Sequence, residues 1–409
     1  MRKLAYFSSL LVIFTIPWEE AFTIGSFGTV TRIVGLLTMI LWLGALLVTG
    51  KIRKLNGFYL TAFLFIVWNI MSLIWSVDLE QSQQQVITYI QLGVLALILW
   101  DLYTTENTLK TGMQAYILGS YVTIISTIIN RIRDQQIYLY SGGRYAGAGL
   151  NAVDLALTLS LGLPIAWYLA ISTDKNGKSR ILAILNYMFI PSALFAIILT
   201  GSRTALFAAI PALIYIFSTF KRFRMFNRVI IFIGLVGTLI VVQLSIPSSS
   251  FDRFSTTASS ILTGDLGGRV SLWQAAMSIF QENPIIGIGS GALSSPLELG
   301  TVAHNTYISV LTELGLFGLC LYTAVLIIVL FTALRQSKPY SDVWLAVFMV
   351  WLIGVLSLTW EYRKTTWLIM SMIVISANVY QPSVVKNVIR DYFNNSPASK
   401  ILQHNVPER

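Results

Sequence analysis

Apolar residues fall in long unbroken stretches along this chain, divided by short segments rich in Gly, Pro, Asn and charged residues. A bilayer core takes about 20 mostly apolar residues per spanning helix. On that measure the pattern predicts about twelve spans: 4–17, 29–49, 57–75, 85–100, 112–130, 149–171, 181–200, 203–220, 228–246, 304–334, 341–358 and 365–380. The first and fourth are short, and the tenth is long enough to begin outside the hydrocarbon. The first follows Arg2 and Lys3, as a secretory signal would. Pro17-Trp18-Glu19-Glu20 then stands where a small-residue cleavage site belongs, so the segment reads as a span. The predicted fold is all-α and polytopic. Spans one to nine occupy 1–246, a long loop 247–303, spans ten to twelve 304–380, and a polar tail 381–409.

Composition narrows the class. Only 11% of residues are charged and 55% are hydrophobic, against about 25% charged in a soluble domain. An ordinary soluble enzyme, a disordered protein and a secreted disulfide scaffold are excluded. The one cysteine, Cys320, lies in an apolar stretch, so there is no disulfide framework and no cysteine-metal site.

The net charge of +10 is informative through its distribution, and gives no footprint for nucleic acid. With twelve spans, 19 of the 28 Lys and Arg residues fall on the side of both termini and 9 on the other, while the acidic residues divide 6 and 12. Basic loops mark the cytoplasmic side. Both termini are therefore expected there, with the long loop from Pro247 to Ala303 on the opposite face. That loop holds a helix-like stretch, Val270–Phe280, in which Leu272, Trp273, Ala276, Met277 and Phe280 share one face. A surface helix with Trp273 at headgroup level is expected. No Gly-rich phosphate loop precedes a Lys-Ser/Thr, which argues against ATP-driven transport, and no pair of inverted broken helices suggests a secondary transporter.

Cations on the outer face are the candidates for chemistry. Gly143-Arg144-Tyr145 opens the sixth span, Gly201-Ser202-Arg203-Thr204 joins the seventh and eighth, Gly267-Gly268-Arg269 opens the loop helix, and His304-Asn305 opens the tenth. Arg203 sits between two apolar helices with almost no loop, where an arginine is costly unless it pairs or reaches water. It either snorkels to headgroups and helix-end carbonyls or offers a bidentate fork to a diphosphate. Arg269 either caps a surface helix in solvent or binds an anion at that helix N-terminus. His304 is either a polar interfacial residue or a neutral imidazole suited to general-base work. The other histidine, His404, lies in the polar tail. With no second histidine or carboxylate cluster nearby, no metal site is expected. Asp154, Glu313, Glu361 and Arg363 also stand at outer span mouths, as functional groups or as pairs that lock helices. Arg32 either joins the anion site or pairs with Glu19 or Glu20. Outward arginines and one histidine, with no cofactor motif, suit an activated substrate already in the membrane, its leaving diphosphate neutralised by arginine.

At these segments the sequence resembles the O-antigen ligase and O-antigen polymerase superfamily of bacterial inner-membrane proteins. The strings that carry it are GRYAGAGLNAVDLA, GSRTAL, GGRVSLWQAAMSIFQENPIIGIGSGA and AHNTYISVLTELGLFG, with WEYRKTTW a looser match; together they span roughly 140–320. Ala152 follows Asn151 where the family pattern often has Pro. The resemblance implies a C-type glycosyltransferase-like membrane fold and a periplasmic active site. It implies metal-free, inverting transfer of a glycan from undecaprenyl diphosphate to an acceptor hydroxyl. By that resemblance Arg203 and Arg269 bind and neutralise the diphosphate and His304 activates the acceptor. Arg144, Asn305, Arg32 and Arg363 are further candidate substrate contacts. The acceptor is lipid A-core for a ligase, or a second lipid-linked glycan for an O-antigen or exopolysaccharide polymerase. A transporter of the same lipids would need cations reaching both leaflets, whereas these cluster on one side.

Overall fold

The computed structural model describes residues 1–25, 28–136, 143–174, 180–220, 237, 269–296 and 302–395. Helices start where the sequence supplies a cap and stop where it withdraws support. Helix α1 is Arg2–Thr15. Thr29 caps α2, Val30–Thr49, which ends on Gly50 in the left-handed conformation. Asn56 caps α3, Gly57–Met71, and Asp78 caps α4, Leu79–Leu102. A Thr105–Thr108 capping box opens α5, Glu106–Ile132. Then follow α6 (Ala152–Asp174), α7 (Arg180–Leu199), α8 (Arg203–Thr219), α9 (Arg269–Glu282), α10 (Thr306–Leu334), α11 (Tyr340–Gly354) and α12 (Lys364–Asn395).

Among the described residues eight helices are long and apolar enough to cross a membrane, and two shorter apolar ones, Arg203–Thr219 and Lys364–Val379, accompany them. The protein is an all-helical, polytopic membrane protein. Some span expectations change, and one falls outside the described residues. The first span is a helix of 14 residues, outside both of those groups. The fourth starts at Leu79, six residues earlier than its apolar pattern, because Asp78 caps a first turn made of Glu and Gln. The twelfth continues as helix to Asn395, through the first part of the expected tail. The ninth, 228–246, lies outside the described residues apart from Gly237.

Helix α6 forms the centre of the bundle. It is buried on nearly all sides and packs on α5, α7, α8 and α11. This is why its apolar residues show no preferred face. Outer helices instead expose one apolar side, as Leu36, Leu37 and Ile40 of α2 and Phe207, Ile210, Ile214 and Phe217 of α8 show. Apolar surface of that extent suits lipid rather than water.

One helix is broken. Gly315, at φ 69° and ψ −172°, interrupts α10. The segment Pro284–Gly289 passes through the gap. The N–H groups of Ile288 and Gly289 donate to the carbonyls of Thr312 and Glu313 at 3.2 and 2.9 Å. The N–H groups of Leu316 and Phe317 donate to the carbonyls of Pro284 and Ile285 at 2.9 and 3.2 Å. Trp68 Nε1 donates to the Leu314 carbonyl at 3.0 Å. The polar groups freed by the break are thus paired inside the protein, as lipid surroundings require. Both sides of this crossing demand glycine. A Cβ on Gly287 would meet the Glu313 backbone at 2.4 Å, and one on Gly315 would lie 2.2 Å from the Ile285 carbonyl oxygen.

Gly315→Ala combines a left-handed conformation with that backbone overlap, so it should cost about 3 kcal/mol or more. The check is thermal unfolding of the purified protein in detergent, followed by tryptophan fluorescence. An unchanged midpoint would mean that the Pro284–Gly289 segment does not hold the helix break.

Candidate active site

Three helix N-termini meet at one end of the bundle. At the first, the Ser202 hydroxyl accepts the Ala205 N–H and caps α8, so Arg203 is its first helical residue and is half-buried. The 143–149 segment braces this corner. Tyr145 N–H donates to the Leu199 carbonyl at 3.0 Å, and Arg144 Nε donates to the Thr200 carbonyl at 2.9 Å. At the second, Arg269 is the first residue of α9. At the third, Asn305 caps α10. Its Oδ1 accepts from Tyr307 and Ile308 N–H at 3.0 and 3.1 Å, and its Nδ2 donates to the Leu356 carbonyl at 3.2 Å.

His304 stands just before this cap, in the left-handed region at φ 48°. A non-glycine residue there costs about 1–3 kcal/mol and persists only where its surroundings impose it. The neighbouring ties do so. Trp273 Nε1 donates to the Ala303 carbonyl at 2.9 Å, and Thr306 Oγ1 donates to the Leu358 carbonyl at 2.8 Å. Arg269 and Trp273 are four residues apart and share a face of α9, so the bond that places Ala303 also sets Arg269 relative to His304. Helix α9 packs on the bundle through Ala276, Ile279 and the Thr312 hydroxyl. The expected apolar face is therefore only partly right: Ala276 is fully buried, Leu272, Trp273 and Phe280 are half-buried, and Met277 points outward.

The charges interact. Burial and then the Arg203 guanidinium lower the Arg269 side chain from its ordinary range. Burial and then Arg269 lower His304, and Asp154 partly offsets this. Arg203, Arg269 and His304 are therefore brought together, with Asp154 close enough to act on the imidazole. Among the described residues neither arginine has a carboxylate partner.

The other candidates take different places. Arg363 pairs with Glu20 and with Asp154, the latter at 3.4 Å, and Lys364 pairs with Glu19. Asp154 also accepts from Asn151 and from Trp360 Nε1. Burial alone would lower Arg363, but Asp154, Tyr362 and Glu20 hold it above its ordinary range. Arg144 serves the α7–α8 corner and Asn305 the α10 cap. Arg32 is exposed on α2 and pairs with neither Glu19 nor Glu20, which take Lys364 and Arg363 instead. Beneath the α10 cap, Ser309 lies between two buried carboxyl groups, 3.0 Å from Glu361 and 3.3 Å from Glu313. Burial pushes the Glu361 carboxyl up to about 7. Glu313 also accepts the Gly291 N–H at 2.7 Å, so it serves the α10 crossing rather than His304.

Two roles were not predicted from sequence: the action of Asp154 on His304, and the bond from Trp273 to Ala303. The second had a signal, a tryptophan four residues after Arg269 in a helix-like stretch. Gly267 and Gly268 of the Arg269 motif lie outside the described residues, as does most of the 247–303 loop before Arg269.

Residues 188–323 match the O-antigen ligase family model. The match covers a third of the chain, and it contains Arg203, Arg269, His304 and the broken part of α10. The chain's resemblance to the O-antigen ligase superfamily holds over that segment. The GRYAGAGLNAVDLA and WEYRKTTW strings, Arg144, Arg32 and Arg363 fall outside it. No curated protein matches the chain.

The lowered affinity of His304 for protons has a direct consequence. Neutral imidazole reacts with diethylpyrocarbonate and imidazolium does not. In a His404→Ala background, the modification rate of His304 should be half-maximal below the ordinary histidine value of about 6.5. Replacing Arg269 with Gln should raise that midpoint, since a neighbouring positive charge is removed. A wild-type midpoint at or above the ordinary value would refute the arrangement.

Proposed function

We propose that this protein moves a glycan from undecaprenyl diphosphate to an acceptor hydroxyl, without a metal, at the periplasmic face of the bacterial inner membrane. The observation that carries this reading is the convergence of Arg203, Arg269 and His304 at three helix N-termini, with neither arginine paired to a carboxylate among the described residues. A diphosphate would pair the two guanidiniums, and helix N-termini add backbone donors for an anion. The ligase-family match over the same three residues supports the donor class.

In the proposed step, His304 takes the proton of the acceptor hydroxyl. The acceptor oxygen forms a bond to the anomeric carbon, and the carbon–oxygen bond to the diphosphate breaks. The electron pair leaves with the diphosphate, whose charge Arg203 and Arg269 neutralise. Attack opposite the leaving group inverts the anomeric centre. A base must be neutral to accept a proton, and burial, then the neighbouring Arg269, lower the imidazole's affinity for protons. Asp154 stabilises the imidazolium formed on transfer. Both termini lie in the cytoplasm on this reading, and membrane lipids surround the bundle. The acceptor is lipid A-core if the protein is a ligase, and a second lipid-linked glycan if it is a polymerase.

Arg203→Ala and Arg269→Ala should each reduce transfer about 10²–10³-fold, the scale of losing one donor to a developing anion. Lysine at either position should restore little, because it offers no bidentate fork. The assay incubates purified protein with undecaprenyl-diphosphate-linked glycan, with and without lipid A-core, and resolves products on a gel. Glycan on lipid A-core indicates a ligase, and a ladder of longer lipid-linked glycans indicates a polymerase. A fully active Arg203→Ala protein would defeat the diphosphate clamp. EDTA should leave the rate unchanged; inhibition reversed by a divalent ion would contradict the metal-free step.

A further inference from the structure

A second cation-headed site lies on the flank of the bundle. Helices α1, α2 and α4 enclose an apolar cavity of about 330 Å³ whose lining runs from Val12 and Met39 to Ile98. Arg32 and Lys364 also line it, and both belong to the end of the bundle that carries His304. Leu36, Ile87 and Ile90 line it while remaining exposed, so it opens sideways into the lipid-facing belt. Two observations show that its head is suited to an anion. Arg32 has no carboxylate partner among the described residues. Thr31 is 1% exposed and lines the cavity, and its buried hydroxyl has no hydrogen-bond partner among the described residues.

The head of this groove is connected to the candidate active site. Lys364 follows Arg363; Arg363 pairs with Asp154, and Asp154 acts on His304. A phosphate held at Arg32 and Lys364 would therefore lie on the His304 side of the site, where the acceptor hydroxyl must come. The volume sits at the low end of the roughly 300–1,000 Å³ of small-molecule sites. It admits part of one chain and not the several acyl chains of lipid A.

We propose that the α1–α2–α4 groove holds the polyprenyl chain of a lipid-linked acceptor, with Arg32 binding its phosphate. This rests on the glycan-transfer reading and deepens it, because it selects a lipid-linked glycan over lipid A-core. Gly35 gives a clean way to fill the groove. It lines the cavity, and a Cβ there meets nothing within 4 Å.

The test uses a donor with its terminal hydroxyl blocked and two acceptors. One is the repeat glycan joined to the polyprenyl diphosphate through a methylene in place of its anomeric oxygen, which accepts but does not donate. The other is the same glycan free of lipid. Wild type should prefer the lipid-linked acceptor in kcat/KM. Gly35→Phe and Arg32→Glu should each cut that preference about tenfold, the scale of one charge-assisted contact, and Gly35→Phe should leave the KM for donor unchanged. Arg32→Glu, on an exposed side chain, decides the question if Gly35→Phe is not recovered folded. An unchanged preference beside an inactive Arg203→Ala overturns the groove and leaves the transfer reading standing. Competition by excess phosphatidylglycerol as strong as that by polyprenyl phosphate makes the groove an ordinary lipid site and overturns the proposal. Wild type that transfers to neither acceptor overturns both.

Discussion

The break in α10 at Gly315 is the constraint from which the rest of the site follows. A continuous helix would leave no backbone groups for the Pro284–Gly289 segment to pair with, and that segment would have to satisfy itself elsewhere. Because the break exists, four ladder bonds are exchanged between the two chain segments. The segment is further held by the α3–α4 connection: Trp75 Nε1 donates to the Ile286 carbonyl, Val77 N–H to the Ile288 carbonyl, and Ser290 bonds to Asn69 and Ser72. Helix α9 ends directly before this segment. Its position, and with it that of Arg269, is inherited from a crossing in the bundle rather than from a free surface loop. The same helix α10 begins with the cap that fixes His304. One helix therefore has the imidazole just before its start and, nine residues on from its first residue, anchors the segment that follows the arginine's helix.

Charge placement sorts the cations into two groups. Arg2 and the Arg53 N–H both bond to Asp101, whose other oxygen accepts from Trp42 Nε1, and Arg53 stacks on Trp100 at 3.8 Å. Arg363 and Lys364 are matched to Glu20, Asp154 and Glu19. These cations are neutralised within the fold, where a buried carboxylate needs them as much as they need it. Arg203, Arg269 and Arg32 have no such partner among the described residues. Two of them lower or are lowered by a neighbouring positive charge, an arrangement that costs stability and that an anion reverses. Position in the sequence did not distinguish the groups, since Arg363 and Arg203 both stand at span mouths. Only the carboxylates brought beside them do.

The apolar pattern located eleven of the predicted spans on described helices, because burial in lipid requires uninterrupted apolar stretches whatever the tertiary packing. Their ends were less legible. Leu79–Val86 is polar in sequence yet helical, since an N-cap and a first turn of Gln and Glu satisfy the backbone without apolar residues. Gly315 was not readable as a break at all. A glycine in an apolar helix is commonplace, and what makes this one special is a carbonyl 30 residues away in the chain. Arg203, Arg269 and His304 were legible through their flanking glycines and their uncommon location. The ion pairs of Arg363 and Lys364 were not, because Glu20 and Glu19 lie more than 340 residues earlier and Asp154 more than 200.

The division between the two ends of the proposed reaction follows from which helices supply them. Arg203, Arg269 and His304 come from α8, α9 and the start of α10, all within the segment that matches the ligase family. Their spacing is fixed by backbone crossings and caps that tolerate little change. The groove beside Arg32 is built from α1, α2 and α4, outside that segment, with an apolar lining in which Leu36, Ile87 and Ile90 are exposed. In the proposed reaction the donor side is thus held by caps and backbone crossings and the acceptor side by an apolar groove. Asp154 and Arg363 join the two: the carboxylate that acts on the imidazole is bound to the arginine beside the groove's lysine. A phosphate arriving at Arg32 and Lys364 competes with Glu19 for Lys364, and through the adjoining pairs it alters the field at His304. On the proposed reading, binding of the acceptor lipid and readiness of the base would be coupled by the same few charges.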